Sequence, residues 1–289
     1  APRDAYRMHY RANPVSTRGN SASAPESPAP GAMIDYYLAR TPDGYVTLDI
    51  LDASGKVIQS FNSRVETSIA RDAVASESQS EEESPRRRGG PINITTHPGV
   101  NRFTWDLSYP GPRPNATAPA GRGGPEAVPG SYKVRLTGAS GSGPAWTETQ
   151  SLTVKPDPRI IRDGVTIADM REQFDHNMHV RDLVSDVNVA VAREREARTR
   201  LKGSTGAAAD TLQRLTAIAA KLETPPIRYS KPELQGNITY LYGMTNDADQ
   251  KIGRDAVERY RTLRTQLDAV LAELNRLLGP PPPVRAATK

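Results

Sequence analysis

Asn101-Arg102-Phe103-Thr104-Trp105-Asp106-Leu107 carries a large apolar side chain at every second position. Successive side chains of a strand point to opposite faces, so Phe103, Trp105 and Leu107 share one face and predict a half-buried strand. The chain has only three Phe and two Trp in 289 residues. Two such anchors on one strand face mark a core, and Asp106 falls at the strand's edge.

Upstream, Met33-Ile34-Asp35-Tyr36-Tyr37-Leu38 reads as a short strand, and Tyr45 to Leu51 alternates with the same period of two. Asp52-Ala53-Ser54-Gly55 is turn chemistry, with Gly55 free to take positive φ. Lys56 to Phe61 returns as the hairpin partner. Downstream, Gly130 to Leu136 alternates Tyr132, Val134 and Leu136, and Trp146 to Val154 points Leu152 and Val154 inward. Short strands separated by turn signals predict an antiparallel immunoglobulin-like β-sandwich over residues 31–158, with long loops at 64–99 and 110–129. Pro156-Asp157-Pro158 ends it, because proline cannot donate to a ladder.

From Thr166 the period becomes helical. Thr166, with Asp169 three residues on, has the form of an N-cap. Ile167, Met170, Phe174, Val184, Val187 and Val191 make a stripe reaching about Leu201, broken by Gly203 and Gly206. Leu212, Leu215, Ile218 and Leu222 give a second helix, stopped by Pro225-Pro226. Ser230-Lys231-Pro232-Glu233 reads as a capping box opening a third stripe of Leu234, Ile238 and Leu241. Residues 248–278 predict the last helix, with Gly279 and four prolines after it. Stripes of this kind bury on one another, so residues 159–279 predict an antiparallel three- or four-helix bundle. The fold class expected is α+β multidomain, with an extended N-terminal arm at 1–30 and a Pro-rich tail at 280–289.

Composition narrows the function classes. Cysteine is absent, which removes disulfides, thiolate nucleophiles and Cys-based zinc sites together. The net charge of +5 is spread along the chain with both signs mixed, unlike the concentrated basic face of a nucleic-acid binder. Arg86-Arg87-Arg88 follows Glu81-Glu82-Glu83 directly and reads as a self-compensating polar loop. No stretch approaches the ~20 apolar residues of a membrane-spanning helix. The chain opens at Ala1 without Met and is expected to be a processed or excised product, with export at an earlier stage.

The candidates for chemistry are few. His176 and His179 lie three apart on one helix face, where two imidazoles could bind one metal. No third ligand stands at a convincing spacing, so the pair reads as surface histidines. His9 and His97 sit in irregular segments. Asp247 and Asp249 read as carboxylates at a helix start, favoured by the positive dipole end. Gly121-Arg122-Gly123-Gly124 reads as flexible loop, Gly141-Ser142-Gly143 as a turn, and no nucleophile elbow occurs. Asn93, Asn115 and Asn237 match glycosylation sequons by chance. No catalytic, cofactor-binding or metal residue is therefore assigned, and no cofactor or enzyme activity is expected.

Several segments, in order, carry a family resemblance. They are Ala1-Pro2-Arg3-Asp4-Ala5-Tyr6-Arg7, Ala32 to Leu38, Leu48 to Asp52 with Gly55-Lys56-Val57, Asn101 to Leu107 with Tyr109-Pro110-Gly111-Pro112, Pro129-Gly130-Ser131-Tyr132 and Val154 to Arg159. The series resembles the C-terminal immunoglobulin-like plus helical region of bacterial exported proteins whose N-terminal part is a sortilin-like, sialidase-repeat propeller. The Trp-Asp strand and Pro-Gly-Ser-Tyr turn also resemble the immunoglobulin-like domain of flagellar hook-capping proteins. The propeller is missing from this sequence, so a hydrolase activity does not transfer with the resemblance.

The expectation is a non-catalytic interaction subunit on the periplasmic face of a membrane protein assembly, extrinsic to the membrane. The specific expectation is a bacterial reaction-centre light-harvesting photosystem. The alternative is an accessory module of an exported propeller-type hydrolase or peptidase. The partners expected are protein subunits of a larger complex, with membrane-surface contact allowed and no nucleic acid or small-molecule substrate. The arms at 1–30, 64–99 and 110–129 are too polar and Pro-rich to fold alone and are expected to carry most of the partner contact.

Overall fold

The computed structural model describes residues 2–9, 31–63, 93–138 and 145–281. Most of the 1–30 arm and the 64–99 loop, with Glu81 to Glu83 and Arg86 to Arg88, lies outside the described residues. So do Gly141 to Gly143 and nearly all of the Pro-rich tail. The chain is α+β, with strands β1 (Ala5–Arg7), β2 (Ala32–Leu38), β3 (Val46–Leu51), β4 (Val57–Asn62), β5 (Gly99–Trp105), β6 (Gly130–Gly138) and β7 (Trp146–Pro156). Helices α1 (Pro158–Arg162), α2 (Ile167–Arg200), α3 (Ala207–Leu222), α4 (Leu234–Asn246) and α5 (Arg254–Leu278) follow. Two compact units form, one of Ala1–Ala5, Gly31–Asp106 and Gly130–Lys155, the other of Tyr6–Pro30, Leu107–Pro129 and Pro156–Lys289.

In the first unit β7, β6, β3 and β4 lie side by side in that order in one sheet, and β2 pairs with β5 in a second, two-stranded sheet. The β3–β4 hairpin is set by its turn. Asp52 Oδ1 accepts from the Ser54 hydroxyl at 2.6 Å and the Lys56 amide at 2.9 Å, and Gly55 takes φ of 89°. Register follows the apolar pattern: Leu48 faces Leu136, Ile50 faces Val134, and Tyr132 faces Leu152. A one-residue slip would turn this whole set outward. Side chains of β5 meet those of the larger sheet, with Phe103 against Phe61 at 4.6 Å between ring centroids and Trp105 edge-on to Tyr132 at 5.7 Å. Phe103, Trp105 and Tyr132 are all buried, as the alternation predicts. Asp49 is buried and accepts from Ser60 and from both Nε and an Nη of Arg135.

In the second unit α2 starts at a reciprocal capping box. The Thr166 hydroxyl accepts from the Asp169 amide, and the Asp169 carboxylate accepts from the Thr166 amide at 2.9 Å. Val180, Leu183, Val184, Val187 and Val191 of α2, with Leu215, Ile218 and Leu222 of α3, Ile238 and Leu241 of α4, and Leu263, Leu267 and Leu274 of α5, make one apolar core, whereas Ile167, expected in the α2 stripe, is exposed. The helix starts differ from expectation in two places. Helix α4 begins after Glu233 without any side-chain cap, and the Ser230 hydroxyl instead donates to the Ile227 carbonyl. Helix α5 begins at Arg254, because residues 247–253 are spent on a polar connection. Gly279 closes α5 at φ of 78°, the glycine stop the sequence predicts.

Residues 107–129 cluster with the helices, not with the sheet domain to which the sequence reading assigns 110–129. Tyr109 stacks edge-on against Phe174 at 4.8 Å. The Arg113 amide donates to Ser185 Oγ, Asn188 donates to the Arg113 carbonyl, and Tyr242 donates to the Gly123 carbonyl at 2.8 Å. The Gly-rich stretch makes close backbone contacts. Gly111 and Gly124 pass so close to the backbone carbonyls of Arg122, Tyr109 and Pro110 that a β-carbon would collide at both. Glycine here permits chain-to-chain approach.

Candidate interaction surface

Helix α4 has two apolar faces, and only one is used inside the unit. Leu234, Ile238, Leu241 and Thr245 are buried. Tyr240 and Met244 stand on the other side, 68% and 58% exposed. Spaced four apart, their β-carbons are neighbours on the helix surface, about 5–6 Å from each other. The α3–α4 connection carries two more exposed apolar residues, Ile227 at 71% and Tyr229 at 89%. Tyr229 holds φ of 65° and lies under the Arg228 guanidinium, 5.0 Å from the ring centroid. A non-glycine residue in that region of φ is held against steric cost. Tyrosine, methionine and arginine are the types enriched at protein interfaces.

The back of α4 is fixed by polar groups in the α2 stripe. Gln173 donates to the carbonyls of Thr245 and Ala248 at 2.7 and 2.6 Å, and Asn177 donates to the Thr245 carbonyl at 2.8 Å. The last carbonyls of a helix have no partner within it, so these two amides cap α4 from outside and aim its outer face. Gln173 and Asn177 are buried, and no apolar pattern reports them.

Below this cap lies an ion cluster within the same unit. Asp249, fully buried at its side chain, pairs with an Arg7 Nη at 2.6 Å. Arg7 also donates to the carbonyls of Glu126 and Ala127, and its Nε stands 3.7 Å from the Glu126 carboxylate. His9 Nε2 is 3.2 Å from Asp249 and 3.5 Å from Glu126. Burial pulls the His9 pKa down, but the hydrogen bond to Asp249 and the charges of Glu126 and Asp249 outweigh burial and Arg7 together, so the net shift is upward. The sequence placed His9 in an irregular segment and Asp249 at a helix start. In the structure Asp247 is the C-cap of α4, and Asp249 is the buried counter-ion of Arg7. The cluster balances charge around a guanidinium and presents no nucleophile.

His176 and His179 both face Tyr260 of α5, at 6.0 and 6.1 Å between ring centroids. His176 is buried rather than superficial, and its pKa is lowered by burial and by His179. Among the described residues no group of three or more His, Asp or Glu is placed to hold a metal ion. His97 lies in the turn before β5, where its amide and carbonyl bond to Asn101.

No helix of the described residues is long and apolar enough to cross a membrane. No protein-family model matches the chain, and no curated protein matches it. Among solved structures, CopC from Methylosinus trichosporium OB3b is similar over 43% of this chain and 76% of its own, with 15% identity and a TM-score of 0.22.

Proposed function

We propose that this chain is a non-catalytic interaction subunit, docked on the periplasmic face of a larger membrane protein assembly and stabilising it. The specific reading is an extrinsic subunit of a bacterial reaction-centre light-harvesting photosystem. Its two sheets are read as the layers of an immunoglobulin-like sandwich and its helices as an antiparallel bundle. Both belong to the scaffold of exported propeller-associated modules that the sequence resembles. The observation that carries the reading is the second apolar face of α4, with Tyr240 and Met244 turned to solvent on a helix whose seat is fixed by Gln173 and Asn177. A preformed helix presenting these side chains has little backbone left to order on binding, which favours association.

The test is affinity isolation of the tagged chain from detergent-solubilised membranes of its source, beside a Tyr240→Asp/Met244→Asp variant of unchanged circular dichroism. Pigment-binding membrane subunits should co-purify with the parent chain and be lost from the variant. A chain recovered free of any membrane assembly, or retained equally by the variant, overturns the reading.

A further inference from the structure

The sheet unit contains a cleft of about 240 Å³ lined by Tyr36, Leu48, Val134, Leu136, Trp146 and Glu148. Its origin is the cross-strand register. Trp146 faces Gly138, Glu148 faces Leu136, and Gln150 faces Val134, so these β7 residues share the face that carries Leu48 and the core. Further along β7 the same face buries Leu152 and Val154. A strand whose inner face runs from aliphatic to aromatic, acidic and amide has stopped building core. On β2, Ile34 and Tyr36 alternate toward the cleft, while Asp35 and Tyr37 complete its rim. Pro2 bridges to Ile34 at the mouth.

Three features fix the chemistry of an occupant. The Trp146 indole lies so close over Gly138 that a β-carbon there would collide with Cε2, Cζ2 and Nε1. Glycine thus lets the ring lie against the backbone. Tyr36 is held by its hydroxyl, which donates to the Thr95 carbonyl. Two aromatic rings are therefore positioned on the walls. The floor of Leu48, Val134 and Leu136 is aliphatic. Of the two carboxylates, Asp35 is occupied by Arg102, which donates to it through Nε at 2.7 Å and an Nη at 3.1 Å. Glu148 is exposed and makes no ion pair among the described residues. Aromatic walls, an aliphatic floor and one uncommitted carboxylate attract a cation with an apolar stem. Pockets for whole drug-sized ligands run about 300–1,000 Å³, so this one suits a single head group.

We propose that this cleft binds an alkylammonium group, with its charge against Glu148 and the rings of Trp146 and Tyr36 and its stem on Leu48, Val134 and Leu136. The site is independent of the α4 surface and stands whether or not that surface docks a partner.

The experiment titrates the full chain with choline, with Nα-acetyl-lysine methylamide, and with 3,3-dimethyl-1-butanol, the neutral isostere of choline, following Trp146 by NMR. A cation should bind at least about tenfold tighter than the neutral isostere. Preference for choline marks a free quaternary amine as the source, and preference for the lysyl probe marks a side chain. Glu148→Gln, a conservative change at an exposed position, should remove about tenfold of the cation's affinity and leave the isostere unaffected. Trp146→Leu should weaken the cation as well. If that variant loses its fold, Glu148→Gln alone decides. Equal binding of cation and isostere, no binding of either cation, or indifference to Glu148→Gln overturns the proposal.

Discussion

Removing Arg7 should cost the helical unit more than any surface change in the protein. Its side chain is 4% exposed and that of Asp249 is fully buried, with Nη and Oδ1 2.6 Å apart. Arg7→Met keeps the aliphatic bulk but leaves Asp249 buried without its guanidinium, with only His9 beside it. It also strips a donor from the carbonyls of Glu126 and Ala127. Breaking a buried pair from one side costs about 3–5 kcal/mol, against a total domain stability of about 5–15 kcal/mol. With a urea m-value near 2 kcal/mol/M, the midpoint should fall by about 1.5–2.5 M.

The two units can be followed separately. Trp105 and Trp146 are the only tryptophans and both lie in the sheet unit, so their emission reports on that unit. Far-UV circular dichroism reports chiefly on the helices. The dichroism transition should move with Arg7→Met. In Arg7→Met/Asp249→Leu both charges are gone, and the double variant should be more stable than the sum of the single changes predicts. A loss below about 1 kcal/mol in Arg7→Met, or strict additivity in the double variant, would refute the assignment of Arg7 as the internal counter-ion of Asp249.

Three further outcomes follow from single side chains. Trp105→Ala should lower the stability of the sheet unit by about 3–5 kcal/mol, read from Trp146 emission during denaturation. His9 has a folded pKa above its usual 6.5, so its contribution is fully present below that value and is lost as pH rises through the folded value. His9→Gln should therefore destabilise the helical unit at acid pH and have least effect in mild alkali, and an equal loss at both would exclude the linkage. The Glu194 carboxyl is raised above 4.5, first by burial, with Arg198 opposing and Glu223 reinforcing. Its cost to folding is full above the folded pKa and fades as pH falls through it, so Glu194→Gln should raise the melting temperature at neutral pH and lose that gain in acid.

The strands and helix bodies were legible because their periods are set by burial. Phe103, Trp105, Tyr132, Leu152 and Val154 alternate in the sequence and are buried in the fold. The Thr166–Asp169 box and Gly279 act within one helical turn, so local sequence contains both partners. Helix starts at Glu233 and Gly253 were not legible, because neither uses a side-chain cap. The role of residues 107–129 was hidden for a different reason. Pro and Gly content identifies a segment without regular structure, but says nothing of whether another element accepts its hydrogen bonds. Here Ser185 accepts from the segment's backbone, and Asn188, Arg181 and Tyr242 donate to its carbonyls, all from helices distant in sequence.

The same distinction explains the polar residues. Gln173, Asn177 and Glu194 fall at buried positions of the α2 stripe, where a sequence reading counts them only as interruptions. The two amides answer the unsatisfied end of α4, and Glu194 answers Arg198 one turn on. A buried polar group without a partner is costly, so an interruption on an apolar face implies a partner somewhere, although the sequence alone does not name it. The histidines show the converse. His176 and His179 have the spacing of a ligand pair, yet the ring they share is Tyr260. His9, with no spacing signal, sits between two carboxylates. Motif spacing detects partners on one element, whereas the contacts of Arg7 and His9 with Glu126 and Asp249 are made between segments more than a hundred residues apart, and only the fold brings them together.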